Sequence, residues 1–246
     1  MELQNAVVVI TGASKGLGRE IALRLCRRRT NLVLIARTRD LLEQLQKQIL
    51  DVSGRKPLII SCDISNEADV EQMAAIISRS FVRVDVLINN AAVGIHKLSG
   101  EMSNGEMRKQ FEVNFFGSYY CIKALLPLLE LSDSAYILNV NSIVSRLAFA
   151  DNSIYAATKS ALVRFSEGLR HELRKSSVRV GSLFPCLMRT SFQNDRKIGD
   201  ESPSFMFIGP EKVAAQMEKM IIRRKKNVYV RRWTSIILMT IKRVLG

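Results

Sequence analysis

Short apolar runs rich in Val, Ile and Leu alternate with amphipathic runs along nearly the whole chain, and this alternation restricts the fold most. Ala6–Ile10, Leu32–Ala36, Leu58–Cys62, Val84–Asn89, Tyr136–Val140, Val178–Phe184 and Val228–Val230 read as strands. Between them Arg19–Arg29, Asp40–Val52, Asn66–Ser80, Glu106–Leu131, Tyr155–Lys175 and Pro210–Arg223 have helical periodicity, with Pro127 near the end of the longest. Strands that are apolar on both faces must be parallel and covered on both sides. Their crossovers must be right-handed. The expected fold is therefore α/β, a doubly wound parallel sheet in one domain spanning residues 1–230, with a ligand site at the strands' carboxyl ends. Leu187–Gly209 is weakly patterned, and a loop of that length in a compact domain is usually functional.

The first strand runs into Thr11-Gly12-Ala13-Ser14-Lys15-Gly16-Leu17-Gly18 and then a helix. Glycines allow a tight turn and close approach of backbone to a pyrophosphate, and a helix N-terminus offers amides and a positive dipole. Gly12, Ser14, Lys15, Gly16, Leu17 and Gly18 are thus candidate dinucleotide contacts. The second strand ends at Ala36-Arg37, where an NAD site usually has an acid for the ribose 2′-hydroxyl. Arg37, with Lys15 opposite, suits a 2′-phosphate, so the expected cofactor is NADP(H).

Tyr155 and Lys159 are one helical turn apart on one face. An ammonium beside a phenol favours the phenolate, so Lys159 is expected to lower the Tyr155 pKa and fit it for general acid/base work. Ser142 follows the strand Tyr136–Val140, and its hydroxyl could hold a carbonyl oxygen while Tyr155 protonates it.

Four cysteines are scattered without a close pair, which points to reduced thiols in a reducing, cytoplasmic compartment and away from a disulfide frame or a zinc site. His96 and His171 lack metal-ligand neighbours and are expected to be structural or surface residues. The first apolar run is short and lacks a basic flank, so it reads as a strand and not a signal peptide. No run approaches the ~20 apolar residues of a membrane span. The net charge of +14 would suit an acidic carrier protein or an anionic membrane face. No nucleic-acid motif accompanies it, so no nucleic-acid partner is expected.

With these features in this order, the chain resembles the short-chain dehydrogenase/reductase family, a Rossmann-type fold, from about Val7 to Val230. The motifs are Thr11–Gly18, Asp63, Asn89-Asn90-Ala91-Ala92, Asn114, Ser142, Tyr155-x-x-x-Lys159, and Pro185 with Thr190. The resemblance implies that Ser142, Tyr155 and Lys159 are catalytic, with Asn114 kinking its helix and holding a water that links Lys159 to solvent. It implies that Asp63 and Ile64 contact adenine, that Asn90 and Ala91 line the adenosine ribose, and that Pro185 and Thr190 hold the nicotinamide. Tyr155 and Lys159 would contact the cofactor too. Ala92 and Cys186 stand where the family prefers glycine, both close to the cofactor. The implied reaction is reduction of a ketone by NADPH, or its reverse, on a small carbonyl or alcohol substrate. A lipophilic or acyl-carrier-bound substrate and a homo-oligomer are expected.

The tail, residues 231–246, sets Trp233 and an apolar block between cations, and from Lys219 onward there are nine basic residues and no acidic one. It reads equally as an interfacial helix on an anionic membrane and as a segment packed on the core or a second subunit. Two other functions stay open: a non-catalytic NADPH-binding regulator on this fold, and a membrane-surface interaction protein.

Overall fold

A computed structural model describes residues 1–186, 188 and 207–230. Seven strands form one sheet: β1 (Val7–Thr11), β2 (Asn31–Ala36), β3 (Leu58–Ser61), β4 (Val86–Asn89), β5 (Tyr136–Val140), β6 (Arg179–Phe184) and β7 (Asn227–Tyr229). Their order is β3-β2-β1-β4-β5-β6-β7, and every neighbouring pair is parallel. The order reverses at β1, which lies between β2 and β4, so a crevice opens where the following loops part. The single α/β domain is the doubly wound fold expected from the apolar pattern.

Among the described residues, seven α-helices cover the sheet: α1 (Gly16–Cys26), α2 (Arg39–Ser53), α3 (Glu67–Ser80), α4 (Asn104–Phe111), α5 (Gly117–Glu130), α6 (Ser153–Glu172) and α7 (Pro210–Ile222). Successive strand residues face opposite sides. Val8, Ile10, Leu32 and Leu34 pack with Ile21, Leu45 and Met217 of α1, α2 and α7. Val7, Val9, Val33 and Ile35 pack with Met73, Leu125 and Leu169 of α3, α5 and α6. Glu218 of α7 is buried against Arg24 and Arg28 of α1, the latter at 2.6 Å, which fastens the helix after the long loop to the helix after the glycine turn.

Element ends move by a few residues from their sequence positions. The first helix stops at Cys26, short of Arg29, whose left-handed φ of 58° turns the chain into β2. The run read as one helix, Glu106–Leu131, is continuous but contains a π turn, Glu112–Phe116, between α4 and α5. Its start is fixed by a capping box, Ser103 with Glu106. The tail and most of Leu187–Gly209, Thr190 included, lie outside the described residues; Met188 bridges to Ile208.

Parallel topology aims every helix C-terminus at the sheet edge opposite the crevice. The exposed cations Arg27, Arg28, Arg29, Arg174, Lys175, Arg223, Lys225 and Lys226 follow helix ends there. Cations are favoured beside the negative end of a helix dipole, which accounts for part of the charge without a partner. Among the described residues, no helix is long and apolar enough to cross a membrane.

Candidate active site

The glycine turn is held by tight packing against the end of β4. Gly12 has φ of +63°, and a Cβ there would lie 2.8 Å from the Ala91 Cα. A Cβ on Gly18 would lie 2.2 Å from the Gly12 oxygen, so only glycine lets α1 close on the turn. Asn90 Nδ2 donates to the Thr11 and Gly12 carbonyls at 3.0 and 3.1 Å. Thr11 Oγ1 accepts from the amides of Asn90 and Ala91. Asn90 therefore ties the β1 turn to the β4 end, a role its sequence position did not reveal. No side chain caps α1 and its first turn has no acid, so its N-terminal amides stay available to an anion.

A cavity of about 360 Å³ runs along the strand ends. Gly12, Ser14, Lys15, Gly16 and Leu17 form its floor, and Arg37, Asp63 and Ile64 stand at one end. Ala91, Ala92, Met188, Val140, Asn141, Tyr155 and Lys159 complete the wall. Gly18 sits behind the turn. Arg37 Nη1 and Asp63 Oδ2 are 3.9 Å apart and both side chains are partly solvated, so the guanidinium remains available. Asp63 also accepts from the Ser65 amide and hydroxyl, at 3.0 and 2.7 Å.

Opposite Arg37, α6 presents Tyr155 and Lys159 beneath the turn at Ser142. Tyr155 is hydrogen-bonded to Ser142. Lys159 Nζ donates to the Val140 carbonyl at 2.9 Å and lies 5.9 Å from the Tyr155 ring centroid. Asn114, in the π turn, accepts from the Val93 amide at 2.8 Å and donates to the Val93 carbonyl at 2.8 Å and to Thr158 Oγ1 at 3.1 Å. Thr158 in turn donates to the Tyr155 carbonyl at 2.7 Å. Asn114 thus fixes the β4 loop to α6 one residue from Lys159. Pro185 is outside the cavity wall; its carbonyl accepts from the Ile143 amide at 3.1 Å and steadies the turn bearing Ser142.

The pattern of the short chain dehydrogenase family matches residues 6–200. The chain belongs to this family. It is 32% identical over 203 residues to dehydrogenase/reductase SDR family member 7B of Mus musculus, covering 81% of this chain and 63% of that protein's length. It is 30% identical over 228 residues to a fatty acyl-CoA reductase of Acinetobacter baylyi, covering 92% of this chain and 76% of that protein. An alcohol dehydrogenase from Thermococcus sibiricus, solved with 5-hydroxy-NADP, superposes with a TM-score of 0.83 at 28% identity, covering 92% of this chain and 95% of that one.

The electrostatics of this short-chain dehydrogenase differ from the sequence expectation at one point. Burial raises the Tyr155 pKa above its ordinary 10, and the Ser142 hydrogen bond opposes the rise without cancelling it. Lys159 was expected to lower it. Its ammonium instead faces the Val140 carbonyl, and burial brings its own pKa from 10.5 down to about 8. In the protein alone the pair therefore holds a neutral phenol beside a reluctantly charged amine.

The His96 ring centroid lies 6.1 Å from that of Tyr155, on the loop after β4, so His96 packs beside the site without lining the cavity. The proximity arises from the loop's path, and no spacing motif announces it. Cys186 is buried and donates to the Val230 carbonyl at 3.3 Å. Cys26, Cys62, Cys121 and Cys186 are all buried, and none of them forms a disulfide.

Proposed function

We propose that this short-chain dehydrogenase interconverts a ketone and a secondary alcohol using NADP(H). The observation carrying the proposal is one cavity lined by Tyr155 and Lys159, with Ser142 hydrogen-bonded to Tyr155, and also by Lys15 and Arg37. A dinucleotide fits the residues present. The uncapped N-terminus of α1 contributes Gly16 and Leu17 to the cavity, and its amides suit a pyrophosphate. Asn90 keeps the turn in shape, Arg37 and Lys15 suit a 2′-phosphate, and Asp63 and Ile64 bound the adenine end.

When bound, the dinucleotide supplies the hydride. The chain's own groups handle the oxygen. Ser142 donates to it as it gains charge. Tyr155, kept protonated by burial, gives it a proton, and Lys159 restores that proton to the phenol. Asn114 and Thr158 hold the backbone of α6 at the height this requires. The back reaction uses the same groups.

A lipophilic or acyl-type carbonyl is the substrate class we favour, supported by the likeness to a protein named fatty acyl-CoA reductase. The test is oxidation of NADPH and NADH with a panel of short ketones, long-chain ketones and acyl thioesters. Turnover of a lipophilic carbonyl with NADPH supports the reading. Tight NADPH binding with no turnover across the panel would favour a dinucleotide-binding regulator.

A further inference from the structure

The sheet edge opposite the crevice carries more than the cations that helix dipoles favour. Among the described residues, the three most exposed large apolar side chains all stand on it: Val82 before β4 at 85%, Leu131 before β5 at 62%, and Val52 in the last turn of α2 at 50%. Hydrogen bonds between neighbouring turns fix the first two. The Val84 amide donates to the Leu128 carbonyl at 3.0 Å, and Ser132 Oγ donates to Asp85 Oδ1 at 2.6 Å. Ser177 Oγ donates to the Ser132 carbonyl at 2.6 Å, and Arg224 Nη2 donates to the carbonyls of Ala135 and Ser177. The turns before β4, β5, β6 and β7 are thus stitched into one surface with Val82 and Leu131 standing out from it. Exposed cations lie on both flanks: Lys175, Arg223, Lys225 and Lys226 before β6 and β7, and Arg27 and Lys56 before β2 and β3. This edge exposes fewer acids, among them Glu130, Asp133 and Glu172.

Helix dipoles explain the cations but not the apolar side chains among them. Exposed apolar residues scattered singly are ordinary; here the three most exposed share one edge with the cations. Apolar groups that enter the headgroup boundary, flanked by charges that meet anionic lipid, make an interfacial surface. The edge runs from β3 to β7, six strand spacings or roughly 29 Å, with cations towards both ends. A membrane is broad enough to meet both flanks at once and takes up the apolar centre, whereas an acidic protein would set carboxylates against it. We infer that this edge docks on an anionic membrane surface, with the crevice opening away from the lipid into water.

Val82→Cys in the full chain carries an environment-sensitive fluorophore; the native cysteines are buried, which directs labelling to the new thiol. Gly100→Cys is the control, in the exposed loop after β4 on the crevice edge, where a Cβ would meet nothing within 4 Å. The probes are phosphatidylcholine vesicles with and without phosphatidylglycerol, and soluble poly-glutamate. Anionic vesicles should shift the Val82→Cys label to shorter wavelength, less so at high salt, and leave the Gly100→Cys label unmoved. Co-sedimentation then compares the native chain with the triple variant Lys175→Gln, Lys225→Gln, Lys226→Gln, which removes three exposed cations. At about fivefold per cation, the variant should bind anionic vesicles about 100-fold more weakly, with an unchanged Tm. Anionic vesicles that the native chain ignores, that the triple variant binds as tightly as the native chain, or that shift the Gly100→Cys label and not the Val82→Cys label would each overturn the inference. Binding of poly-glutamate without binding of vesicles would overturn it in favour of an acidic protein partner.

Discussion

Replacing Lys159 with Met should separate stability from activity. In the protein alone the Lys159 ammonium is 2% exposed, and burial lowers its pKa from 10.5 to about 8. At ~1.36 kcal/mol per pH unit, the charged form costs the fold about 3 kcal/mol near neutrality. Removing the amine also strips the Val140 carbonyl of its 2.9 Å partner, a loss of about 1–2 kcal/mol. Lys159→Met should therefore stabilise the ligand-free protein by about 1–2 kcal/mol at pH 7, while turnover collapses for want of a proton source for Tyr155. The folded pKa lies below the unfolded one. Between pH 8 and 10.5 the unfolded chain thus holds the extra proton, and native stability rises with pH through that window. Below pH 8 both states are charged and the penalty is constant. The advantage of the Met variant should shrink above pH 8 and reverse near about pH 10. Urea unfolding of both proteins across this range measures it. A stability difference that does not change with pH, or a Met variant that is the weaker at pH 7, would refute the reasoning.

Tyr155→Phe should lower turnover by about 10³-fold, the usual scale of a lost general acid, and leave the NADPH Kd within threefold; stopped-flow and equilibrium titration separate the two effects. Arg37→Ala should weaken NADPH about fivefold and leave NADH unchanged. The effect is modest because the guanidinium is 60% exposed and solvent screens its charge. Equal affinity of the native protein for both cofactors would remove Arg37 from selectivity. For the tail, a chain ending at Arg232 should bind anionic vesicles more weakly than the full chain, and more so at low salt. Identical co-sedimentation would leave residues 233–246 as a packing or subunit-contact segment.

The sheet was legible because its inner strands are apolar on both faces, so Val7–Thr11 or Asn31–Ala36 could only be central and parallel. The glycine turn and the Tyr155–Lys159 pair were legible because their chemistry depends on local spacing. What escaped the sequence depends on contacts distant along the chain. The π turn at Glu112–Phe116 accompanies Asn114 hydrogen bonds to Val93 and Thr158, partners 21 and 44 residues away. His96 reaches Tyr155 through a loop whose path no periodicity encodes. The Lys159 ammonium is held by the Val140 carbonyl, at the end of a strand, and burial raises the Tyr155 pKa against the expectation drawn from helical spacing alone.

Lys159 is a buried donor whose charge the protein alone poorly accommodates, and it stands on the cavity wall with Tyr155. At the floor, α1 leaves its first amides without a side-chain cap, as α2, α6 and α7 also do, and its first residues Gly16 and Leu17 line the cavity. Each group would gain on binding a ligand with complementary polar atoms, because the desolvation is already suffered in the fold and is not charged again to association. A site built this way should stiffen and stabilise markedly when filled, by RT ln(1 + [L]/Kd). A rise in unfolding temperature with NADP⁺ that Lys159→Met diminishes, while it raises the ligand-free value, is the pattern this arrangement requires.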